Sequence, residues 1–283
     1  QSGMQLSKLG LPGDYEDPVI APDGVRVAYN RIDPRTGISN IWLNDSSGNR
    51  EMRYTFSPGF DHHTVWAPDS SRIYFDSNRN GPADVYQKAL SGGDQEQMLV
   101  HTNEEKTPNS ISPDLRYLIY QSVSPTTKWD LWLLPLFGNQ SPRPFLRTDN
   151  NELGAQISPD GRWVAYTSDE SGKWEVYVSS FPAATGKWQI SSTGGTQPRW
   201  RHDGREIFYL AANRKLISVE IKEGANFELG ESKVMFETRC RYTGNVAYDV
   251  APDGKKFLIN SIVSEENPSP LTVVVNWPSE MKH

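Results

Sequence analysis

Short apolar runs alternate with polar turns along the whole chain, and the pattern returns at a nearly constant interval. Each unit has a large apolar residue, then a four-residue turn centred on Asp, then an apolar run with strand composition. The turns are Ala21–Gly24, Ala67–Ser70, Ser112–Leu115, Ser158–Gly161, Arg201–Gly204 and Ala251–Gly254. Their aspartates are separated by 46, 45, 46, 43 and 50 residues. A period of ~40–50 residues indicates a repeat built from one supersecondary unit.

Each unit contains about four short runs that are rich in β-branched and aromatic residues, too short for helices. The runs directly after the turns are 25–29, 73–75, 117–120, 163–166, 207–209 and 257–259. Four antiparallel strands per unit, repeated six times, predict an all-β fold, a six-bladed β-propeller of equivalent blades.

The two ends of the chain are expected to share the last blade. The sixth unit lacks a fourth run, and Met4–Leu9 has the character of one. We therefore predict that the N-terminal strand completes the last blade and removes exposed strand edges. Residues 1–3 resemble a tag remnant, and residues 4–283 are expected to form a single propeller domain, with blades beginning near 17, 62, 107, 153, 196 and 246.

The six turn aspartates are interpreted as structural. Pro presets φ at the first corner, Asp accepts hydrogen bonds from nearby amides, and Gly tolerates positive φ. This chemistry stops one strand and reverses the chain into the next, so these residues are not catalytic candidates.

Composition narrows the possible partners. The net charge of −6 disfavours nucleic acid, whose binding requires a basic surface. No run of about 18 apolar residues is present, so we expect no membrane insertion. The single cysteine, Cys240, allows neither an intrachain disulfide nor a multi-cysteine metal site.

The repeat resembles the WD-like propeller repeat of TolB-type proteins. The fourth unit matches best, through Ile157–Ser168, Ser171-Gly172 and Val176-Tyr177. The tail, with Phe257–Asn260 and Leu271–Trp277, is also similar to the propeller domains that follow bacterial Ser/Thr protein kinases. The resemblance implies a bacterial, periplasmic or extracytoplasmic sensor or protein-binding domain.

A site is expected where the innermost strands line the central channel. Residues one and three positions before each large apolar residue should face this channel, because side chains alternate along a strand. The predicted ligand-binding residues are Asp17, Asp61, His63, Glu104, Gln156, Gln197, Arg199 and Asp249. Arg199 and Asp249 occupy equivalent positions on neighbouring blades, which predicts an ion pair. The acidic members predict a cationic protein or small-molecule ligand at the channel mouth, with binding that weakens as salt rises.

Catalysis is less favoured than binding. No Gly-x-Ser-x-Gly elbow is present. Adjacent histidines in a strand point to opposite sides, so His62 and His63 are not assigned to a metal, and no cofactor is expected. The leading hypothesis is a non-enzymatic, monomeric binding or sensor propeller. The alternative is a carbohydrate-active hydrolase or lyase that uses channel carboxylates, such as Asp17 with Glu104 or Glu152, or uses His63.

Overall fold

The chain folds into β-sheets arranged around one axis. The computed structural model describes residues 4–9, 13–45, 50–91, 93, 95–138, 141–222, 224–240, 246–262 and 271–275. Within these ranges every regular element is a strand, which confirms the all-β class. The suspected tag remnant at residues 1–3 lies outside the described residues.

The strands form six four-stranded antiparallel sheets. The first strand of the chain is β1 (Met4–Leu9). Blade 1 has β2 (Tyr15–Ile20), β3 (Arg26–Ile32), β4 (Ser39–Asp45) and β5 (Glu51–Arg53). Blade 2 has β6 (Asp61–Trp66), β7 (Arg72–Ser77), β8 (Asp84–Ala89) and β9 (Glu96–Val100). Blade 3 has β10 (Lys106–Ile111), β11 (Tyr117–Ser124), β12 (Lys128–Pro135) and β13 (Arg143–Leu146).

The second half of the chain continues this order. Blade 4 has β14 (Glu152–Ile157), β15 (Trp163–Ser168), β16 (Glu175–Ser180) and β17 (Lys187–Gln189). Blade 5 has β18 (Gly195–Trp200), β19 (Glu206–Ala211), β20 (Lys215–Ile221) and β21 (Leu229–Glu237). The remaining strands are β22 (Tyr248–Val250), β23 (Lys256–Asn260) and β24 (Leu271–Val275).

The expectation of equivalent blades is wrong. Five blades consist of four consecutive strands and start with an inner strand of six residues, whereas the remaining sheet, blade 6, has the order β1-β24-β23-β22. Its inner strand, β22, has only three residues. The reason lies just before it: the amides of Val246 and Ala247 donate to the side chains of Asp17 and Gln197, at 2.9 and 2.8 Å. These amides are bound by neighbouring blades instead of by a strand partner.

The six turn aspartates have the structural role that their sequence pattern predicts. In each turn an Asp oxygen accepts a hydrogen bond from the amide two residues later, at 2.8–3.1 Å. Neighbouring turns also touch, since the Asp23 amide donates to Ser70 Oγ of the next turn at 3.1 Å. The turns therefore form a belt around one end of the axis.

The hydrophobic core lies between blades. Ile41 and Leu43 of blade 1 pack with Trp66 and Phe75 of blade 2, and comparable clusters join the other neighbouring blades. Burial of apolar area is worth roughly 25 cal/mol per Å², so these interfaces fix the blades against one another. The Trp66 indole also donates to the Val19 carbonyl at 3.2 Å, across the first interface.

Candidate functional site

A channel of about 1070 Å³ runs along the axis between the inner strands of the six blades. One end, which we call the turn end, is ringed by Pro22, Pro68, Pro113, Pro159, His202 and Pro252. The other, the hairpin end, is lined by Lys173, Trp174, Thr193, Gly194, Ala212 and Arg214. Residues from every blade thus contribute to one cavity.

Backbone irregularities break the simple alternation that was expected of the inner strands. The pairing of β2, β6, β10, β14 and β18 with the next strand shifts register midway. At these shifts Asp17, His63, Gly154 and Gln197 have φ between 48° and 61°. Such a bulge re-aims side chains. His63, Gly154 and Gln197 line the channel, whereas the equivalent Asp17 is fully buried and does not.

Arg199 and Asp249 form the ion pair that their equivalent positions predict. Arg199 Nε lies 3.4 Å from Asp249 Oδ1, and both side chains are about nine-tenths buried. Asp249 Oδ2 also accepts from the Ile20 amide at 2.7 Å, so the carboxylate connects blades 5, 6 and 1. Burial raises the pKa of Asp249, and the Arg199 charge opposes this shift. The pair reinforces the channel wall where blade 6 has its shortest strand.

Gln156 and Gln197 line the channel and connect blades at the same time. Gln156 Nε2 donates to the Asn109 carbonyl of blade 3 at 2.9 Å. Gln197 Oε1 accepts from the Ala247 amide of blade 6 at 2.8 Å, and the Tyr248 hydroxyl donates to the Gln197 carbonyl at 2.9 Å. Both glutamines therefore have structural partners in addition to any ligand.

His63 lies between two carboxylates. Its Nδ1 is 2.8 Å from Asp76 Oδ1, and its Nε2 is 3.9 Å from Asp17 Oδ2. The imidazole side chain is 25% exposed and lines the channel. Of this group, a ligand in the channel would meet the histidine first, because both carboxylates are buried behind it.

The predicted acidic mouth requires correction, because Asp61 and Glu104 do not line the channel. Asp61 is fully buried, pairs with Arg79 Nη2 at 2.8 Å and accepts from Ser57 Oγ at 2.8 Å. Glu104 Oε2 accepts from Ser122 Oγ at 3.0 Å. Arg79 belongs to the hairpin between β7 and β8, so the sequence pattern of the inner strands alone did not reveal this partner. The carboxylate that does line the channel, among the described residues, is Asp249.

Sequence reasoning missed the residues of the hairpin end. Lys173 and Trp174 belong to the β15–β16 hairpin, and Arg214 to the β19–β20 hairpin. The Lys173 side chain is 54% exposed and Trp174 is 39% exposed, while Lys173 Nζ pairs with Glu175 at 3.1 Å. The signal was available, since these hairpins share a face with the starts of the inner strands. The hairpin end is therefore cationic and aromatic.

Two further features concern possible classes of site. In the described part of the chain, no group of three or more His, Cys, Asp or Glu side chains is arranged to hold a metal ion. The same residues include no helix with the length and hydrophobicity needed to cross a membrane.

Comparison with known proteins supports the resemblance seen in the repeats. Residues 9–130 match the family model described as the TolB beta propeller domain. A stretch of 58 residues is 40% identical to the Tol-Pal system protein TolB of Bordetella pertussis. This match covers 20% of the present chain and only 13% of that relative.

Similar folds also occur among solved structures. TolB from Acinetobacter baumannii has a TM-score of 0.69 at 15% identity, over 89% of this chain and 64% of that one. An oligogalacturonate lyase in complex with manganese has a TM-score of 0.63 at 13% identity, over 95% and 90% of the two chains. At such low identity these two likenesses show the fold alone. Together with the family match over residues 9–130, they support the resemblance of the repeats to TolB-type β-propellers.

Proposed function

We propose that the chain is a non-enzymatic protein-binding module that receives an extended segment of a partner at the hairpin end of its channel. The channel volume carries this proposal. At about 1070 Å³ it reaches the upper limit of small-molecule pockets, ~300–1,000 Å³, and it is lined by residues from all blades. A peptide segment suits a cavity of this volume with both apolar and polar lining residues.

The lining favours an anionic segment over the cationic partner expected from the sequence. Lys173, Arg199 and Arg214 line the channel; Asp249, the one carboxylate of the described lining, pairs with Arg199, and Glu175, the partner of Lys173, is fully buried. Trp174 adds an exposed aromatic surface beside Lys173. Charge complementarity of this kind steers encounter and fixes orientation.

The geometry does not favour the hydrolase form of the carbohydrate-active alternative. Glycoside hydrolysis uses two carboxyl groups flanking the scissile bond. Among the described lining residues only Asp249 supplies a carboxylate, and its two oxygens contact Arg199 and the Ile20 amide. Asp17 and Glu152 are buried away from the channel space.

The TolB relatives suggest a setting for this binding role. They are named as Tol-Pal system proteins, and the present chain matches an eighth of their length. By analogy, we infer that this propeller serves as a protein-binding part of an assembly of that kind, in the periplasm of a bacterium. This inference rests on the repeat resemblance, since fold does not determine function.

A peptide-display selection tests the proposal. Random twelve-residue peptides are selected on the wild-type protein, and the enriched sequences are titrated against the double variant K173E/R214E. We expect acidic peptides to be enriched and the double variant to bind them at least tenfold more weakly. The matched control is K233E, on the outermost strand of blade 5, where the lysine is 65% exposed. Enrichment of basic peptides, or equal loss of binding in the control, would contradict the proposal.

A further inference from the structure

The junctions between neighbouring blades repeat one arrangement of polar side chains. The first residue of an inner strand faces the third strand of the preceding blade, and a hydroxyl residue lies four positions earlier. In the junctions of blades 1/2, 2/3 and 3/4 the first residues are Asp61, Lys106 and Glu152. The hydroxyl residues are Ser57, Thr102 and Thr148, and the residues of the third strand that act on the first residues are Asn40, Asp84 and Asp130.

Two of these junctions contain a cation beside the buried carboxylate. In junction 2/3 the Lys106 ammonium group lies 2.9 Å from Asp84 Oδ1, with both side chains 1% exposed. In junction 1/2 Asp61 pairs with Arg79 at 2.8 Å and also accepts from Asn40 Nδ2 at 3.3 Å. Buried charge is thereby compensated within each junction, as its high desolvation cost requires.

Junction 3/4 departs from this arrangement, because both facing residues are acids. Asp130 is fully buried and Glu152 is 2% exposed. Thr127 donates to Asp130 Oδ2 at 2.6 Å, and Thr148 donates to Glu152 Oε1 at 2.5 Å. The second oxygen of each carboxyl group, Asp130 Oδ1 and Glu152 Oε2, is buried without a hydrogen-bond partner among the described residues.

The surrounding charges do not neutralise this pair. The nearest cation is Arg147, whose Nε is 3.7 Å from Asp130 Oδ2 and whose side chain is 46% exposed. The carboxylates that act on the pair are Glu104 on Asp130, and Glu170 and Asp169 on Glu152. Lys128, at the start of β12, acts on Asp169 and not directly on the pair. Burial, reinforced by the Asp130 charge, raises the pKa of Glu152 to about 7, and burial also raises the pKa of Asp130.

We propose that Glu152 carries a proton at weakly acidic pH, in the place that the ammonium group of Lys106 takes in the neighbouring junction, and that loss of this proton as pH rises through neutrality loosens the contact between blades 3 and 4. The proton is exchanged with solvent and forms an O–H bond at Oε2, which turns one unpaired acceptor into a donor. When it leaves, two carboxylates face one another in a buried space.

The strand that carries Glu152 also forms part of the channel wall. Leu153 and Gly154 follow Glu152 in β14 and line the channel. The Gly154 amide donates to Gln121 Oε1 of blade 3 at 3.0 Å, across the same junction. A weaker junction therefore frees the segment of β14 that forms the channel wall, so the device links pH to the shape of the candidate site.

The sign of the effect follows from linkage. A carboxyl group whose pKa is higher in the folded state than the ordinary 4.5 contributes stability at low pH and loses it as pH rises through the folded pKa. We therefore expect the contribution of Glu152 to fall as pH rises from about 4.5 through the folded pKa of about 7, and to level off above about pH 7.5.

Thermal unfolding between pH 5 and pH 9 tests the proposal on wild type, E152Q and E152K. We expect E152Q to gain in Tm over wild type as pH rises, with a plateau above pH 7.5. E152K recreates the Lys106–Asp84 pair and should be more stable than wild type at pH 8. The control is E231Q, whose glutamate side chain is 76% exposed on β21, and its profile should follow that of wild type.

Two measurements on the wild-type protein keep the test decisive if a variant misfolds. Infrared spectroscopy should show a protonated carboxylic acid at pH 6 that disappears by pH 9. Hydrogen exchange of the β14 amides, corrected for intrinsic rate, should accelerate over the same range. Parallel Tm profiles of wild type and E152Q overturn the proposal. So does restoration of full wild-type stability at pH 8 by calcium, because the pair would then be a metal site.

Discussion

Replacing Asp61 by Ala is a sharp test of the structural account, because the sequence places this residue in a binding site and the structure places it in an interior ion pair. Asp61 is fully buried and lies 2.8 Å from Arg79, whose side chain is 16% exposed. Removing one member of a buried pair costs ~3–5 kcal/mol, since the other charge is left uncompensated. Arg79 keeps Glu96 as a partner, and its guanidinium lies 4.6 Å from the centre of the Tyr86 ring.

These remaining contacts put the expected cost of D61A near the lower limit, about 3 kcal/mol. For a domain of this size class 1 kcal/mol corresponds to roughly 2–4 °C in Tm, so we expect a fall of about 6–12 °C. Urea unfolding and differential scanning fluorimetry measure both quantities. In a cycle with R79A, the coupling of the two residues should lie within the range ~0.5–3 kcal/mol known for residues in contact.

The control for this series is E231A, whose side chain is 76% exposed and whose Tm should stay unchanged. If D61A unfolds at the wild-type temperature while losing affinity for the selected peptides, Asp61 faces a ligand and the interpretation of the interior ion pair is refuted.

Two further predictions concern the junctions and the turns. W200F removes the indole hydrogen bond to the Gln156 carbonyl at 2.9 Å. We expect this change to lower the free energy of unfolding by ~1 kcal/mol in urea titrations. An unchanged free energy of unfolding would mean that this contact does not hold blades 4 and 5 together. Partial burial acts to raise the pKa of Asp160, but hydrogen bonds from Ser158 and Arg162 and the charge of Arg162 outweigh it and lower the pKa below 3.8. The stability that this carboxylate contributes is present above pH 3.8 and is lost as pH falls further, so D160N should be less sensitive to acid between pH 4 and pH 2 than wild type. Equal acid sensitivity of the two proteins in urea titrations would contradict this assignment.

The parts of the molecule that could be predicted are those governed by local chemistry. Each Pro-Asp turn is specified within four residues, and the strands follow from short apolar runs beside it. The Arg199–Asp249 pair could be inferred because the two residues occupy equivalent positions on neighbouring blades. The repeat therefore predicts a contact between two residues that are far apart in the chain.

The rest depends on contacts between an inner strand and segments distant from it, which the local pattern of that strand does not encode. The bulges at Asp17 and Gln197 could not be predicted from one repeat, because their side chains bind the amides of Val246 and Ala247 in another blade. Likewise, the burial of Asp61 could not be predicted, because its partner, Arg79, comes from a hairpin of polar residues without a strong pattern. Asp61 was therefore expected at the channel mouth. Both errors have the same physical origin, since a polar side chain of an inner strand can be tied up when a segment outside that strand supplies its partner.

The most direct test of the central claim locates the bound peptide. Trp174, at the hairpin end, and Phe137, on the outer part of blade 3, are 39% and 44% exposed. Each is replaced in turn by the photoreactive p-benzoylphenylalanine, and the crosslink to the best acidic peptide from the display selection is quantified by mass spectrometry. The account predicts a crosslink from position 174 and none above background from position 137. Equal crosslinking at both positions, or none at 174 while the peptide remains bound, would contradict binding at the hairpin end of the channel.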